Sequence, residues 1–160
     1  MLKQNRQQSK ERNEKKREVF TLSDKGSIRV IRPLHIAADL SWNYGEDVVV
    51  YDVRENSPFV SYYVVASAAN DRRLNALVST AKDALYDNFK EVDHTEGKNG
   101  SEWVLIDAKD IVIQLFTKKE RERVAFDYLY RNVPHKIVVA KEEPKYRRRK
   151  KPVRMYPAQD

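Results

Sequence analysis

Residues 103–116, WVLIDAKDIVIQLF, hold two apolar runs separated by a short polar link. The runs 103–107 and 110–116 have the length and β-branched content of strands. The link Asp107-Ala108-Lys109-Asp110 is short enough to join them in a tight turn. This stretch predicts a β-hairpin.

The segment before the hairpin predicts two further strands and a helix. Residues 47–53, DVVVYDV, form a continuous β-branched run, as expected of a strand covered on both faces. Residues 59–67, FVSYYVVAS, predict a second strand. Asn70 is suited to cap a helix, and Asp71 would complement the helix dipole in the first turn. The apolar stripe predicted for this helix consists of Leu74, Leu77, Val78, Ala81, Leu85 and Phe89.

Two more helices are predicted at the ends of this pattern. Apolar residues recur at near-helical spacing from Ile28 to Leu40, with Pro33 near the start. A closing helix is predicted over 119–131, and Gly97 and Gly100 mark a turn before the hairpin. The order of elements predicts an α+β fold, a mixed β-sheet with flanking helices.

Length and composition limit the class of protein. At 160 residues the chain suits one domain with flanking segments, and its 41% hydrophobic content suits a modest core. No apolar run is long enough for a membrane span, and the polar N-terminus lacks the apolar region of a secretory signal. The chain has no cysteine, so its fold cannot depend on disulfides. We expect a cytoplasmic protein.

The net charge of +7 is concentrated in the two ends of the chain. Residues 1–25 carry a net +4, residues 141–160 a net +5, and residues 26–140 a net −2. The first segment is predicted to be a disordered extension or an exposed, frayed helix, because it has too few apolar residues to offset its ordering entropy. Residues 26–140 form the predicted domain. Residues 141–160, with the run KYRRRKK at 145–151, are predicted to be a flexible basic tail.

The residues that could carry chemistry are sparse. His35, His94 and His135 are far apart, with no two at the spacing of helical metal ligands. The four glycines form no phosphate-binding motif, and there is no GxSxG motif or thiol nucleophile. Asp107 and Asp110 are ordinary turn residues. The sequence predicts a non-enzymatic protein without a metal, a cofactor or a small-molecule substrate.

The basic tails allow two interpretations. They could simply solubilise the chain, or they could contact RNA phosphates without sequence preference, with salt-dependent affinity. The candidate RNA-contacting residues in the C-terminal tail are Arg147, Arg148, Arg149, Lys150 and Lys151. The predicted strands lack the mixture of aromatic and basic residues that an RNA-stacking surface requires.

The ordered blocks between residues 47 and 130 resemble the ribosomal silencing factor family, also called Iojap-like. The blocks are DVVVYDV, SPFVSYYVVASAANDRR, the pair Glu96-Gly97, the Trp103 hairpin, and a closing helix with Glu120-Arg121 near its start. The resemblance covers roughly residues 28–131 and keeps its spacing within each block.

The resemblance implies a nucleotidyltransferase-like fold that lacks the active site. It also implies binding to the large ribosomal subunit through its protein number fourteen, which would sterically block joining of the small subunit and repress translation. A homodimer is expected when the protein is free of the ribosome. The partner-binding residues that it implies are Trp103, Val104, Asp107, Lys109, Asp110, Gln114, Asp71, Arg72 and Glu96.

The chain also departs from the family pattern. Ala108-Lys109 replaces the usual Tyr-Gly of the turn, Gln114 replaces a histidine, and Ala68-Ala69-Asn70 replaces Gly-Thr-Ser. Without the resemblance, Trp103 would be interpreted as a core aromatic, as Leu105 and Ile113 are here. Two other functions are kept as alternatives: an RNA-binding ribosome-associated accessory protein acting through its basic tails, and a nucleotidyl-transfer enzyme.

Overall fold

A computed structural model describes residues 28–97 and 100–152, and the side chains from residue 32 onward within them. The predictions for residues 1–25 and for 153–160 therefore fall outside the described residues. The helices are α1 (Ile28–Trp42), α2 (Asp71–Asp87), α3 (Lys118–Val124) and α4 (Phe126–Leu129). The strands are β1 (Glu46–Asp52), β2 (Tyr62–Ala68), β3 (His94–Glu96), β4 (Trp103–Ala108), β5 (Ile111–Thr117) and β6 (His135–Ile137).

The strands form one mixed sheet in the order β3-β4-β5-β2-β1-β6. β2 and β5 pair in parallel, and the other neighbours pair antiparallel. The parallel pair needs a long crossover, and α2 lies in that connection between β2 and β5. The predicted α+β class with a mixed sheet and flanking helices is confirmed.

The two faces of the sheet are covered differently. Helices α1 and α2 pack on one face, where Ile36, Leu40, Leu74 and Leu85 join the alternate strand residues in the main core. A smaller cluster on the other face covers β1 and β2 and contains Phe126. Because both faces are covered there, Val48 to Tyr51 are all buried, as the continuous β-branched run predicted.

Helix α2 begins as predicted but ends earlier. The Asn70 side chain accepts a hydrogen bond from the Arg73 backbone N–H at 2.9 Å, so Asn70 is the N-cap. The helix ends at Asp87, and Phe89 has a φ of +61° and is 52% exposed. The prediction that Phe89 extends the apolar stripe is wrong, because the backbone has left the helix.

Among the described helices, none combines the length and apolar character that crossing a membrane requires.

Several strand boundaries differ from the predictions. β2 starts at Tyr62, and Phe59 lies in the preceding loop with 85% of its surface exposed. The apolar content of 59–61 suggested a strand, but Phe59 and Val60 donate backbone hydrogen bonds to the Ser57 hydroxyl, which makes a local turn. The short edge strands β3 and β6 lack the apolar alternation by which a strand is recognised.

The predicted closing helix over 119–131 is broken into α3 and α4. Ala125 between them adopts a left-handed conformation with φ 50° and ψ 44°. Thr117 caps α3 by accepting a hydrogen bond from the Glu120 backbone N–H. The break turns Phe126 back onto the sheet, where it packs against Tyr51 and Phe116.

The hairpin of β4 and β5 is confirmed, with Trp103 opposite Phe116 and Ala108 opposite Ile111. Lys109 has a φ of +71°, and Asp110 is not among the residues with positive φ. A φ of this sign is unfavourable for a residue with a Cβ, and tight hairpin turns prefer glycine at such a position. Lys109 occupies this position at a cost in backbone strain.

The structure corrects the prediction of a free C-terminal tail over its described part, residues 141–152. Residues 144–150, here called the C-terminal strap, pack on α1 and α2 without forming a helix or strand. The Tyr146 ring stacks on His35 with centroids 4.0 Å apart. Arg148 forms ion pairs with Asp39 and Asp87, each at 2.7 Å. The basic composition suggested a solvated tail, but two acidic side chains on the helices neutralise this arginine.

Candidate functional site

Strand β4 presents alternate residues to opposite faces of the sheet. Val104, Ile106 and Ala108 lie in the main core under the helices, and Val104 is 5% exposed. Trp103, Leu105 and Asp107 lie on the other face. The structure therefore corrects the prediction that Val104 contacts a partner, because the alternation of the strand turns this side chain inward.

The face that carries Trp103 lacks a helix over β3 and β4 in the described part of the chain. Its residues, here called the open face, are His94, Glu96, Trp103, Leu105, Asp107 and Gln114, which the registers of the strands align. Leu105 is only partly buried, so its assignment to the core was wrong. The period-two alternation from Trp103 was the signal that could have placed Leu105 here. Ile113 is fully buried, as predicted.

Trp103 is both anchored and exposed. Its ring stacks on Phe116 with centroids 4.9 Å apart, and its Nε1 donates a hydrogen bond to Gln114 Oε1 at 3.2 Å. The Trp103 side chain nevertheless keeps 40% of its surface exposed, whereas Gln114 keeps 4%. Gln114 therefore positions the indole and offers little surface to a partner, which corrects its assignment as a contact. A fixed, exposed indole is the type of side chain that dominates binding energy at interfaces.

Gly97 allows the chain to turn close to this tryptophan. Its φ is +92°, and a Cβ at this position would lie 2.6 Å from the backbone oxygen of Trp103. Only glycine fits such a close approach. The Glu96-Gly97 pair thus places Glu96 on β3 and brings the following loop against the start of β4.

Acidic side chains surround His94 on the open face. His94 Nδ1 lies 3.4 Å from Asp93 and 3.6 Å from Asp107, and its Nε2 lies 3.2 Å from Glu96. Hydrogen bonding to Glu96 and then to Asp93 raises the pKa of His94. Asp93, His94 and Asp107 are also near enough to one another to hold a metal ion, an arrangement that the sequence spacing did not reveal. Ion pairing of the histidine with the carboxylates accounts for these distances.

The turn residues have structural partners of their own. Asp107 accepts a hydrogen bond from the Lys109 backbone N–H at 2.7 Å. Asp110 pairs with Lys90, and its backbone oxygen accepts hydrogen bonds from Ser61 and Tyr62. Asp107 lies on the open face, whereas Lys109 and Asp110 are exposed at the tip of the hairpin.

The remaining predicted residues lie on other parts of the molecule. Asp71 and Arg72 are exposed in the first turn of α2, at the end of the sheet where Trp103 starts β4. The five basic residues of the tail lie on the helical side of the sheet. Arg148 forms ion pairs with Asp39 and Asp87. The Arg149 guanidinium lies 4.4 Å from the centroid of the Tyr86 ring. Arg147, Lys150 and Lys151 are exposed.

A concave region of about 640 Å³ lies beside α3 and α4. Its floor holds Arg121, which is 6% exposed and donates to Asp47 O, Ser67 Oγ and both oxygens of Asp127. Burial would raise the pKa of Asp127, but hydrogen bonds from Arg121 and Tyr51 outweigh it and lower the pKa. The charge of Arg121 is balanced by that of Asp127. We interpret this pair as a structural ion pair that joins α3 and α4.

Comparison with known proteins places this geometry in a family. The family model described as "Ribosomal silencing factor during starvation" matches residues 28–159. This chain belongs to that family. The matched region includes the open face and, beyond the predicted boundary at 140, the C-terminal strap.

Curated relatives carry the same name, ribosomal silencing factor. The Bacillus subtilis protein is 28% identical over 89 residues, which cover 56% of this chain and 75% of the relative. The Haemophilus influenzae protein is 26% identical over 90 residues, which cover 54% of this chain and 84% of the relative. Membership makes the chain a ribosome-associated regulator of translation.

Solved structures show the same fold. A crystal structure of a Chromobacterium violaceum protein aligns with a TM-score of 0.58 at 23% identity and covers 76% of this chain and 92% of that one. A Bacillus halodurans structure aligns with a TM-score of 0.52 at 23% identity and covers 63% and 92% of the two chains. These alignments concern the fold alone.

Proposed function

We propose that this protein represses translation by docking its open face on protein number fourteen of the large ribosomal subunit, which sterically blocks joining of the small subunit. The proposal depends on the family and on one observation, the anchored indole of Trp103 that keeps 40% of its surface exposed. Docking of this kind requires a complementary surface and no catalysis.

The chemistry of the open face suits a basic protein partner. The apolar centre, Trp103 with Leu105, is bordered by Glu96 and Asp107, and interfaces commonly combine a desolvated aromatic centre with a polar rim. Negative side chains at the rim would speed encounter with a positively charged partner and orient it. Asp71 and Arg72, at the same end of the sheet as Trp103, would extend this contact. Lys109 and Asp110 would extend it at the tip of the hairpin.

The first test is substitution of the indole. Trp103→Ala should weaken co-sedimentation with free large subunits by about 30-fold, because an interface anchor of this type contributes about 2 kcal/mol or more. The same variant should no longer inhibit subunit joining, measured by light scattering after mixing purified subunits.

Trp42→Ala provides a matched control. Trp42 has a similar exposure of 44% but ends α1, on the helical side of the sheet. This variant should bind and inhibit like the wild type. Normal subunit joining in the presence of saturating wild-type protein would contradict the proposed function, and equal losses in both variants would contradict the site.

Nucleotidyl transfer is the enzymatic alternative to this function. In the cleft beside α3 the guanidinium of Arg121 is bound to Asp127, and the described residues there do not form a group of three side chains close enough to hold a metal ion. We expect calorimetry to detect no binding of magnesium nucleotides. Heat from such binding, lost in an Arg121 variant, would favour the enzymatic alternative.

A further inference from the structure

The C-terminal strap divides its side chains between the interior and the solvent. Tyr146 stacks on His35, and Arg148 reaches Asp39, which is 5% exposed. The intervening Arg147 is exposed, as are Lys145 before it and Lys150 and Lys151 after it. From Lys145 to Arg148, exposed side chains therefore alternate with side chains that hold the strap, and Lys150 and Lys151 are both exposed after it.

The anchoring contacts fix the backbone as well as the side chains. Arg148 Nη2 also donates to the second Asp39 oxygen at 2.8 Å, so this pair is bidentate. The Arg149 backbone N–H donates to Asp87 O at 2.9 Å, and Tyr86 donates to the backbone oxygen of Lys150 at 3.3 Å. The strap is therefore attached to both helices at successive residues, although it forms no helix or strand.

The side chains that the strap presents to solvent are all cationic. Within the described part of the chain, no ion pair involves Lys145, Arg147, Lys150 or Lys151. The acidic groups that the strap contacts, Asp39 and Asp87, both pair with Arg148, and the exposed Glu142 and Glu143 precede the strap. Four positive charges, three on the held backbone and Lys151 directly after it, thus face the solvent.

We infer that the strap is a preordered phosphate-binding row for the backbone of RNA. Repeated cations on an extended backbone match a polyanion, and ordering by the protein removes part of the entropy cost of binding. A membrane surface is the weaker match, because surface anchors combine basic residues with exposed apolar ones and Tyr146 is turned inward. The inference rests on the proposed function for one point, that the RNA is ribosomal.

The strap and the open face lie on opposite sides of the sheet. His35, Asp39 and Asp87 belong to the helical layer, whereas Trp103 lies on the face away from it. The two surfaces can therefore bind at the same time, Trp103 to a protein and the strap to nearby RNA. Two linked contacts would bind more tightly than either alone.

The test measures RNA binding directly, with the full chain and without ribosomes. The probes are a fluorescein-labelled single-stranded RNA and an RNA hairpin of mixed sequence, followed by anisotropy across a salt series. Lys145, Arg147, Lys150 and Lys151 are changed together to Gln. Each lost phosphate contact should reduce the slope of log affinity against log salt by roughly 0.7, so the slope should fall by about 2 to 3. The affinity at low salt should fall at least about tenfold.

The matched control removes the same charge elsewhere. Arg54, Lys119, Arg123 and Arg131 are exposed and lie outside the strap, and their joint replacement by Gln should leave most of the RNA affinity intact. Equal losses in the two quadruple variants would overturn the inference, as would wild-type binding by the strap variant. Binding of wild-type protein to vesicles containing phosphatidylserine, without binding to either RNA, would also overturn it.

The same variants separate this inference from the proposed function. Trp103→Ala should keep wild-type RNA affinity while losing inhibition of subunit joining. If the strap variant keeps its RNA affinity but Trp103→Ala loses inhibition, the strap inference fails and the proposed function stands. If the strap variant loses RNA affinity but Trp103→Ala inhibits normally, the strap inference stands and the open face is not the docking site.

Discussion

At the scale of single residues, Lys109 shows how a departure from the family pattern is accommodated. The family pattern has a glycine in the turn, and the positive φ at this position explains why glycine suits it. Lysine keeps the same geometry, so the hairpin survives the substitution. The substitution therefore strains the backbone at Lys109 and leaves the pairing of the hairpin strands unchanged.

Glycine at position 109 would relieve this strain. Lys109→Gly should raise the free energy of unfolding by up to about 1 kcal/mol, because relief of left-handed strain exceeds the extra entropy that glycine has in the unfolded chain. Urea denaturation followed by circular dichroism measures the change. Lys109→Ala removes the same charge but keeps a Cβ, so it should bring no gain. A gain of the same size in both variants would show that charge, rather than backbone conformation, is responsible.

At the scale of elements, Arg121 joins α3, α4 and the sheet. It is buried and bonds to the backbone of Asp47, to Ser67 and to Asp127, which is 54% exposed. Arg121→Met should therefore lower the free energy of unfolding by about 2–3 kcal/mol, less than for a fully buried ion pair. Chemical denaturation provides the measurement.

Arg123 is the control for that prediction, two residues along the same helix. Its side chain is 68% exposed, so water screens its ion pair with Glu120, whose side chain is 11% exposed. Arg123→Met should cost less than about 1 kcal/mol, since exposed pairs contribute little. A loss at Arg123 equal to that at Arg121 would mean that loss of helix charge explains both.

Packing of the strap on α1 makes stability depend on pH. Burial lowers the pKa of His35, although hydrogen bonding to Asn88 opposes this. The unfolded chain then takes up a proton more readily than the folded protein. Stability should be complete above pH ~6.5 and decline as the pH falls through the lowered pKa of His35. Thermal unfolding of the wild type and of His35→Gln should show a smaller acid-induced loss in the variant. Identical pH profiles would exclude His35 as the cause.

At the scale of the whole molecule, the strap makes the C-terminal segment part of the domain. Arg148→Met should destabilise the fold by about 2 kcal/mol, because it leaves the buried Asp39 carboxylate without its cation. Trypsin should then cleave the strap faster than in the wild type. Arg147→Met, one residue away and exposed, should change stability by less than about 0.5 kcal/mol. Equal stability of all three proteins would show that the strap is not held in solution.

The sequence by itself determined the fold class, the hairpin, the Asn70 cap and the family. These features depend on local chemistry, such as β-branched runs, cap residues and turn residues at fixed spacing. It also identified Trp103 as the central residue of the proposed surface, through the motif that surrounds it.

Only the tertiary structure decided which side of the sheet each residue occupies and what the basic tail contacts. Val104 was expected to contact a partner but lies in the core, and Leu105 was expected in the core but is partly exposed. Side chains of a strand alternate between its two faces, and the packing of the helices decides which face is buried. Arg148 changed from a free cation to an anchor, because Asp39 and Asp87 lie far away in the sequence and meet it only after α1 and α2 have packed together. Contacts between distant residues arise from folding as a whole, and no local pattern encodes them.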